Sequence, residues 1–270
     1  MPNDLRHTPD TDERIRQLIH VGAEILGGTA GSLAETAIGF LVAGPAGAAI
    51  GGAGSTAISM VLRRVGADVT ERLLSPREQA RVGFVLTSAA AEIHSRNEQG
   101  EPLRTDGFFD PGNGDRSDAE EVAESVLLRS QREPEEKKLP YMAHLLANIA
   151  FDTKVNAYLA HQISKIAEQL TYRQFCILGL ATIKDSFELR MVNYRDQNRF
   201  AKELHQILYE FQELHSKEYI HFAESDGFAG VTNIVPGRIT LQGLGNDIYT
   251  LMGLSLIPRT DIAQIADQLG

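Results

Sequence analysis

Apolar residues first fall into step at Ile15, Leu18, Ile19 and Ile25, with Leu18 and Ile19 three and four positions after Ile15, which predicts a helix starting near Thr11 or Asp12. The pattern then changes. From Thr36 to Leu62 the chain carries no charged residue. Over the overlapping stretch every fourth position but one is small, in the series Gly27, Gly31, Glu35, Gly39, Ala43, Gly47, Gly51, Ser55 and Ser59. Positions four apart share one helix face. A face without bulk lets a second backbone approach closely, as small-residue helix pairs do in membranes. Gly44-Pro45 breaks the run, because proline interrupts a helix interior and restricts the residue before it. The expected unit is a helical hairpin, with arms at about 20–43 and 46–65. Arg63 and Arg64 close the apolar run, where cations suit a helix C-terminus and an interfacial anchor.

Downstream the signals are those of ordinary helices. Ser75-Pro76-Arg77-Glu78 combines a capping serine, proline in the first turn and a glutamate three beyond the cap. That helix should run to Asn97 and bury Val82, Phe84, Val85 and Leu86. Residues 98–117 are rich in Gly and Pro and read as a loop. Asp118 is expected to cap the next helix, which Pro134 ends. Two further helices fit 139–152 and 155–170. Thr171 to Gln174 forms another capping box, and a long amphipathic helix over 198–216 carries Phe200, Leu204, Ile207, Leu208, Phe211 and Leu214. Short strands are expected at 219–222 and 238–241, with a turn-rich excursion between them. A helix over 245–254 and a last one capped by Thr260 complete the chain.

This pattern divides the chain at 74/75 and 170/171: an N-terminal helix and hairpin (1–74), a helical domain (75–170) and a C-terminal domain of helices and strands (171–270). A length of 270 residues is enough for such domains. The mean hydropathy of −0.18 excludes a polytopic membrane protein. The net charge of −10 disfavours nonspecific nucleic-acid binding, which depends on cations neutralising phosphates. Cys176 is the single cysteine, so no internal disulfide and no Cys-rich zinc site is available. The first twenty residues lack an apolar stretch of secretory type, and a cytoplasmic location with possible inner-membrane association is expected.

The run from Gly237 to Leu254 resembles the closing strand and following helix of bacterial winged-helix domains. The order helix, long helix, strand, loop, strand, helix agrees with it. The pattern and this resemblance together predict a mainly α fold: a Gly/Ala-rich hairpin and helical bundle, then, as the resemblance implies, an α+β winged-helix-like domain. Glu135-Glu136-Lys137-Lys138 followed by Leu145 to Asp152 is similar to a segment of Abi-alpha-type bacterial abortive-infection proteins, departing from it at Pro140. That resemblance implies a role in defence against phage and carries no catalytic residues.

No motif for a catalytic triad, a phosphate loop, a dinucleotide fold or a zinc hydrolase is present. The acidic loop 110–118 lacks the spacing of a calcium-binding helix–loop–helix. No catalytic, metal or cofactor site is assigned, and the expectation is a non-enzymatic protein; an enzyme of unrecognised kind ranks third among the readings. The candidate assembly residues are Gly27, Gly31, Gly39, Ala43, Gly47, Gly51 and Ser55. Glu35 lies on the same face, either lining a polar lumen in an oligomer or, as the simpler reading, making a hydrogen bond near an exposed helix end. Two functions compete. One is membrane association or disruption through the hairpin. The other is a homo-oligomeric adaptor or regulator whose 171–270 domain binds protein, with DNA the weaker option because the 198–216 helix carries Glu203, Glu210 and Glu213 beside Arg199 and Lys202.

Overall fold

The computed structural model describes residues 9–26, 30–42, 52–72, 74–112, 114–197, 199–222 and 230–270. Among these the chain is mainly helical, with eleven α-helices and one two-stranded sheet. It forms two compact units, Met1–Glu168 and Gln169–Gly270.

The first unit contains α1 (Pro9–Leu26), α2 (Ala30–Val42), α3 (Gly52–Thr70), α4 (Pro76–Glu98), α5 (Asp118–Arg132), α6 (Leu139–Ile149) and α7 (Ala157–Gln169). Helix α4 is its centre. The Ser75 hydroxyl accepts the Glu78 N–H and the Glu78 carboxylate accepts the Ser75 N–H, closing a capping box. Buried positions then follow on several sides of α4, including Val82, Val85, Leu86, Ala89, Ala90 and Ile93. A helix buried on several sides is one that others pack around.

The closest of these packings is α1 on α4. A methyl group at Gly22 would sit 2.2 Å from the Gly83 carbonyl carbon and 2.3 Å from the Phe84 nitrogen. One at Gly83 would sit 2.1 Å from the Leu18 carbonyl oxygen. The two backbones therefore touch, and only glycine fits at either position. Ile15, Leu18 and Ile19 fill the rest of the seam, and Gly66 of α3 leaves room for the tips of Ile15 and Leu86. Ala34, Ala37, Phe40 and Leu41 bury one side of α2 in the same unit, and Val61, Leu62, Val65 and Val69 bury one side of α3.

Several expectations need correction. Helix α1 runs without a break to Leu26, so no hairpin arm begins at residue 20. The second arm does not stop near 65: α3 continues to Thr70, and Arg63 and Arg64 lie within it, Arg63 paired with Asp12 at 2.6 Å and the partly exposed Arg64 with Glu120 at 2.9 Å. Residues 1–74 and 75–170 are not separated by a unit boundary, since α1 is seated on α4. The cap of α5 is Ser117, one residue before Asp118, because its hydroxyl closes a box with Glu120. Pro140 falls in the first turn of α6, where its missing N–H costs no helical bond.

Loop 99–117 is fastened by Arg104. Its guanidinium donates to the Val155 and Ile149 carbonyls at 2.8 and 3.2 Å, grips both Asp106 oxygens and lies 3.8 Å from the Phe108 ring centre.

The second unit contains α8 (Tyr172–Ile183), α9 (Lys202–Ser216), β1 (Ile220–Phe222), β2 (Ile239–Leu241), α10 (Leu244–Leu251) and α11 (Arg259–Leu269). The strands pair antiparallel, Ile220 opposite Leu241 and Phe222 opposite Ile239. Thr171 caps α8 through the expected box with Gln174. Helix α9 starts at Lys202 rather than 198, and α11 is preceded by Pro258, so Thr260 lies inside it and does not cap it. Gly245 lets α10 lie on the chain entering β1; a methyl there would sit 1.9 Å from the Tyr219 carbonyl oxygen.

The seam and the exposed glycines of α2 should respond oppositely to alanine. Gly83→Ala should lower stability by roughly 2 kcal/mol or more, because backbone must move. Gly31→Ala and Gly39→Ala should each raise it by about 0.5–1 kcal/mol, since neither position meets a neighbour and alanine favours a helix. Urea unfolding of the three variants measures both signs.

Candidate functional site

The described members of the small-residue series do not share one face of the first unit. Gly31, Glu35 and Gly39 lie exposed along the outer side of α2, whereas Ser55 and Ser59 of α3 are buried. A four-residue spacing holds register only within a continuous helix, and α2 and α3 are separate helices. Gly27, Ala43, Gly47 and Gly51 lie outside the described residues. A methyl built at Gly31 or Gly39 finds nothing within 4 Å. The outer face of α2 is thus bare and open, with the Glu35 carboxylate midway along it. The tight backbone contact expected of the series occurs instead at Gly22 and Gly83, neither of which belongs to it.

Beside α2 a groove of about 460 Å³ runs between α2, α4 and α6. Leu33, Phe84, Ala91, Pro140 and Ala143 give it apolar walls, and Glu92, Arg96 and His144 form a polar end. His144 Nδ1 lies 2.6 Å from one Glu92 oxygen. Arg96 donates to both Glu101 oxygens at 2.7 and 2.6 Å and to Asn148 Oδ1 at 2.6 Å, and it stacks 3.9 Å from the Phe151 ring centre. The Glu101 hydrogen bonds raise the Arg96 pKa, and the same bonds hold the Glu101 carboxyl below the ordinary glutamate value. Each charge is matched locally, which suits a clamp between α4, α6 and the start of the 99–117 loop. The polar end was not found from sequence. Glu92 and Arg96 are a legible i, i+4 pair, but nothing along the chain announces that His144, Asn148 and Phe151 meet them.

Protein-family models, curated proteins and solved structures yield no match to this chain.

In the second unit α9 differs from its sequence reading. Glu210 is buried and receives a two-point bond from Arg173 at 2.7 and 2.9 Å. Glu213 accepts the Gln174 amide at 3.0 Å. Two of the three glutamates that made this helix look acidic are therefore turned onto α8. The exposed side carries Lys202, Glu203, His205, Gln206 and Tyr209. Arg199, Phe200, Lys202, His205 and Gln206 line a shallow depression of about 520 Å³.

Among the described residues no helix is long and apolar enough to cross a membrane, and no group of three His, Cys, Asp or Glu side chains is placed to hold a metal ion.

Glu101 gives the clamp a pH signature. Its carboxyl is held below its unfolded value, so its contribution to stability is complete above the ordinary value of 4.5 and disappears as pH falls through the lower folded value. Glu101→Gln should be less stable than the parent at neutral pH, and the gap should close on acidification below that range. Urea midpoints of both proteins across pH 3–7 test this.

Proposed function

We propose that the chain is a non-enzymatic, self-associating adaptor, whose first unit joins copies through the outer face of α2 and whose second unit engages a protein partner. The observation that carries the reading is the open stripe of Gly31, Glu35 and Gly39 on a helix whose opposite side is buried. Such a stripe lets another helix approach to backbone distance without displacing any side chain. The second unit we read as winged-helix-like. Support comes from its element order, with α8 and α9 before an antiparallel pair and a helix directly after β2. Folds of this kind serve many binding tasks. Defence against phage by abortive infection is the biological setting implied by the resemblance around residues 135–152.

Membrane disruption is the second reading, favoured by the uncharged stretch from Thr36 to Leu62. On this reading α2 would leave the bundle and give up the burial of Phe40 and Leu41. That change costs several kcal/mol, and a bilayer would have to return it.

Sedimentation velocity on the full chain tests assembly. The parent should run as an oligomer. Gly31→Leu/Gly39→Leu should run as a monomer whose circular dichroism matches the parent, because both positions are open within the unit. An unchanged oligomer in that variant contradicts the proposal. Leakage from anionic vesicles caused by the parent chain, and not by this variant, would select the membrane reading.

A further inference from the structure

Two imidazoles meet where α9 gives way to the sheet. His215 lies in the last turn of α9, and His221 is the central residue of β1. Their ring centres are 5.9 Å apart. Among the described residues this is the one place where two histidine rings come together.

The two rings are held differently. His215 Nδ1 is 3.2 Å from the Ile220 carbonyl oxygen. A carbonyl only accepts, so this nitrogen carries the proton and the lone pair of the neutral ring sits at Nε2. The same ring packs 4.5 Å from the ring centre of the buried Phe222, which fixes its place. His221 alternates with the buried Ile220 and Phe222 and is exposed. Its ring makes no hydrogen bond among the described residues.

A hydrogen bond from the second ring nitrogen to a carbonyl is the support that metal-ligating histidines use to set tautomer and orientation. Metal–nitrogen bonds of about 2.0–2.1 Å place the centres of two rings on one ion ~5 Å apart. The observed 5.9 Å closes to that value by a shift of about 1 Å, within the motion of an exposed side chain such as His221. Imidazole nitrogens favour late first-row divalent ions, whereas Mg²⁺ and Ca²⁺ take oxygen ligands. Two protein nitrogens with water in the other positions suit the tetragonal geometry of Cu²⁺ or Ni²⁺ better than a closed zinc site of four protein ligands.

We propose that His215 and His221 form a two-point site for a late first-row divalent metal ion, Cu²⁺ bound more tightly than Ni²⁺, with water completing its coordination. The bound ion ties the last turn of α9 to β1. Binding to the folded unit alone raises its stability. The site stands apart from the adaptor reading and does not depend on it.

Isothermal titration of the full chain with CuCl₂ tests the site. One equivalent should bind, and His221→Ala should weaken it at least tenfold. Circular dichroism of this variant should match the parent, because the side chain is exposed. His215→Ala should weaken binding as much, and its metal-free melting temperature reads separately what the lost Ile220 bond does to the fold. His205→Ala, an exposed histidine on the same helix, should leave the affinity unchanged. The Cu²⁺ electron paramagnetic resonance spectrum of the parent should show nitrogen hyperfine splitting that His221→Ala reduces. The net charge of −10 supplies a rival explanation, ions held by surface carboxylates. Equal affinity in parent and His221→Ala, displacement of Cu²⁺ by excess Ca²⁺, or absence of binding overturns the proposal.

Discussion

The first unit depends on two helix backbones in contact. Gly22 and Gly83 remove the side chains that would hold α1 and α4 apart, and the apolar residues flanking them seal the seam. Glycine in a helix interior costs about 1 kcal/mol relative to alanine. Here that cost is offset by dispersion contacts and burial along the whole crossing. Because α4 is also the helix on which α2 and α6 rest, this seam fixes the walls of the groove and holds α2 with its bare side outward. The surface proposed for assembly is a consequence of how α1 is seated.

Electrostatics refines the packing that the seam sets. Arg63 ties α3 back to Asp12 of α1, Arg64 ties it to Glu120 of α5, and Arg96 clamps the end of α4 to Glu101 and Asn148. Pairs that keep some contact with solvent contribute modestly each, and together they hold α3 to α1 and α5 and the end of α4 to the 99–117 loop.

Local signals in the sequence were legible where a few adjacent residues decide the structure. The boxes Ser75–Glu78 and Thr171–Gln174 are written in four residues each, and both form. The apolar spacing of α9 likewise buries Ile207, Leu208, Phe211 and Leu214. Reasoning from period failed where distant residues decide. The four-residue series looks like one face on paper, yet its described members are exposed on α2 and buried on α3. Gly22 and Gly83 were overlooked because each is a lone glycine amid ordinary helical residues. That isolation was itself a signal, since a glycine kept inside a helix usually has a packing reason. The inward turn of Glu210 could not be read, because its partner Arg173 lies thirty-seven positions away on another helix.

The central claim is that α1 and α4 form one cooperative piece. Native-state hydrogen exchange across α1 and α4 addresses it directly. The account predicts that amides from Ile15 to Gly22 and from Val82 to Ile93 exchange with the same, highest protection of the first unit and respond together to added denaturant. If α1 amides exchange through local opening at low free energy while α4 stays protected, the seam does not hold the fold and the account is contradicted.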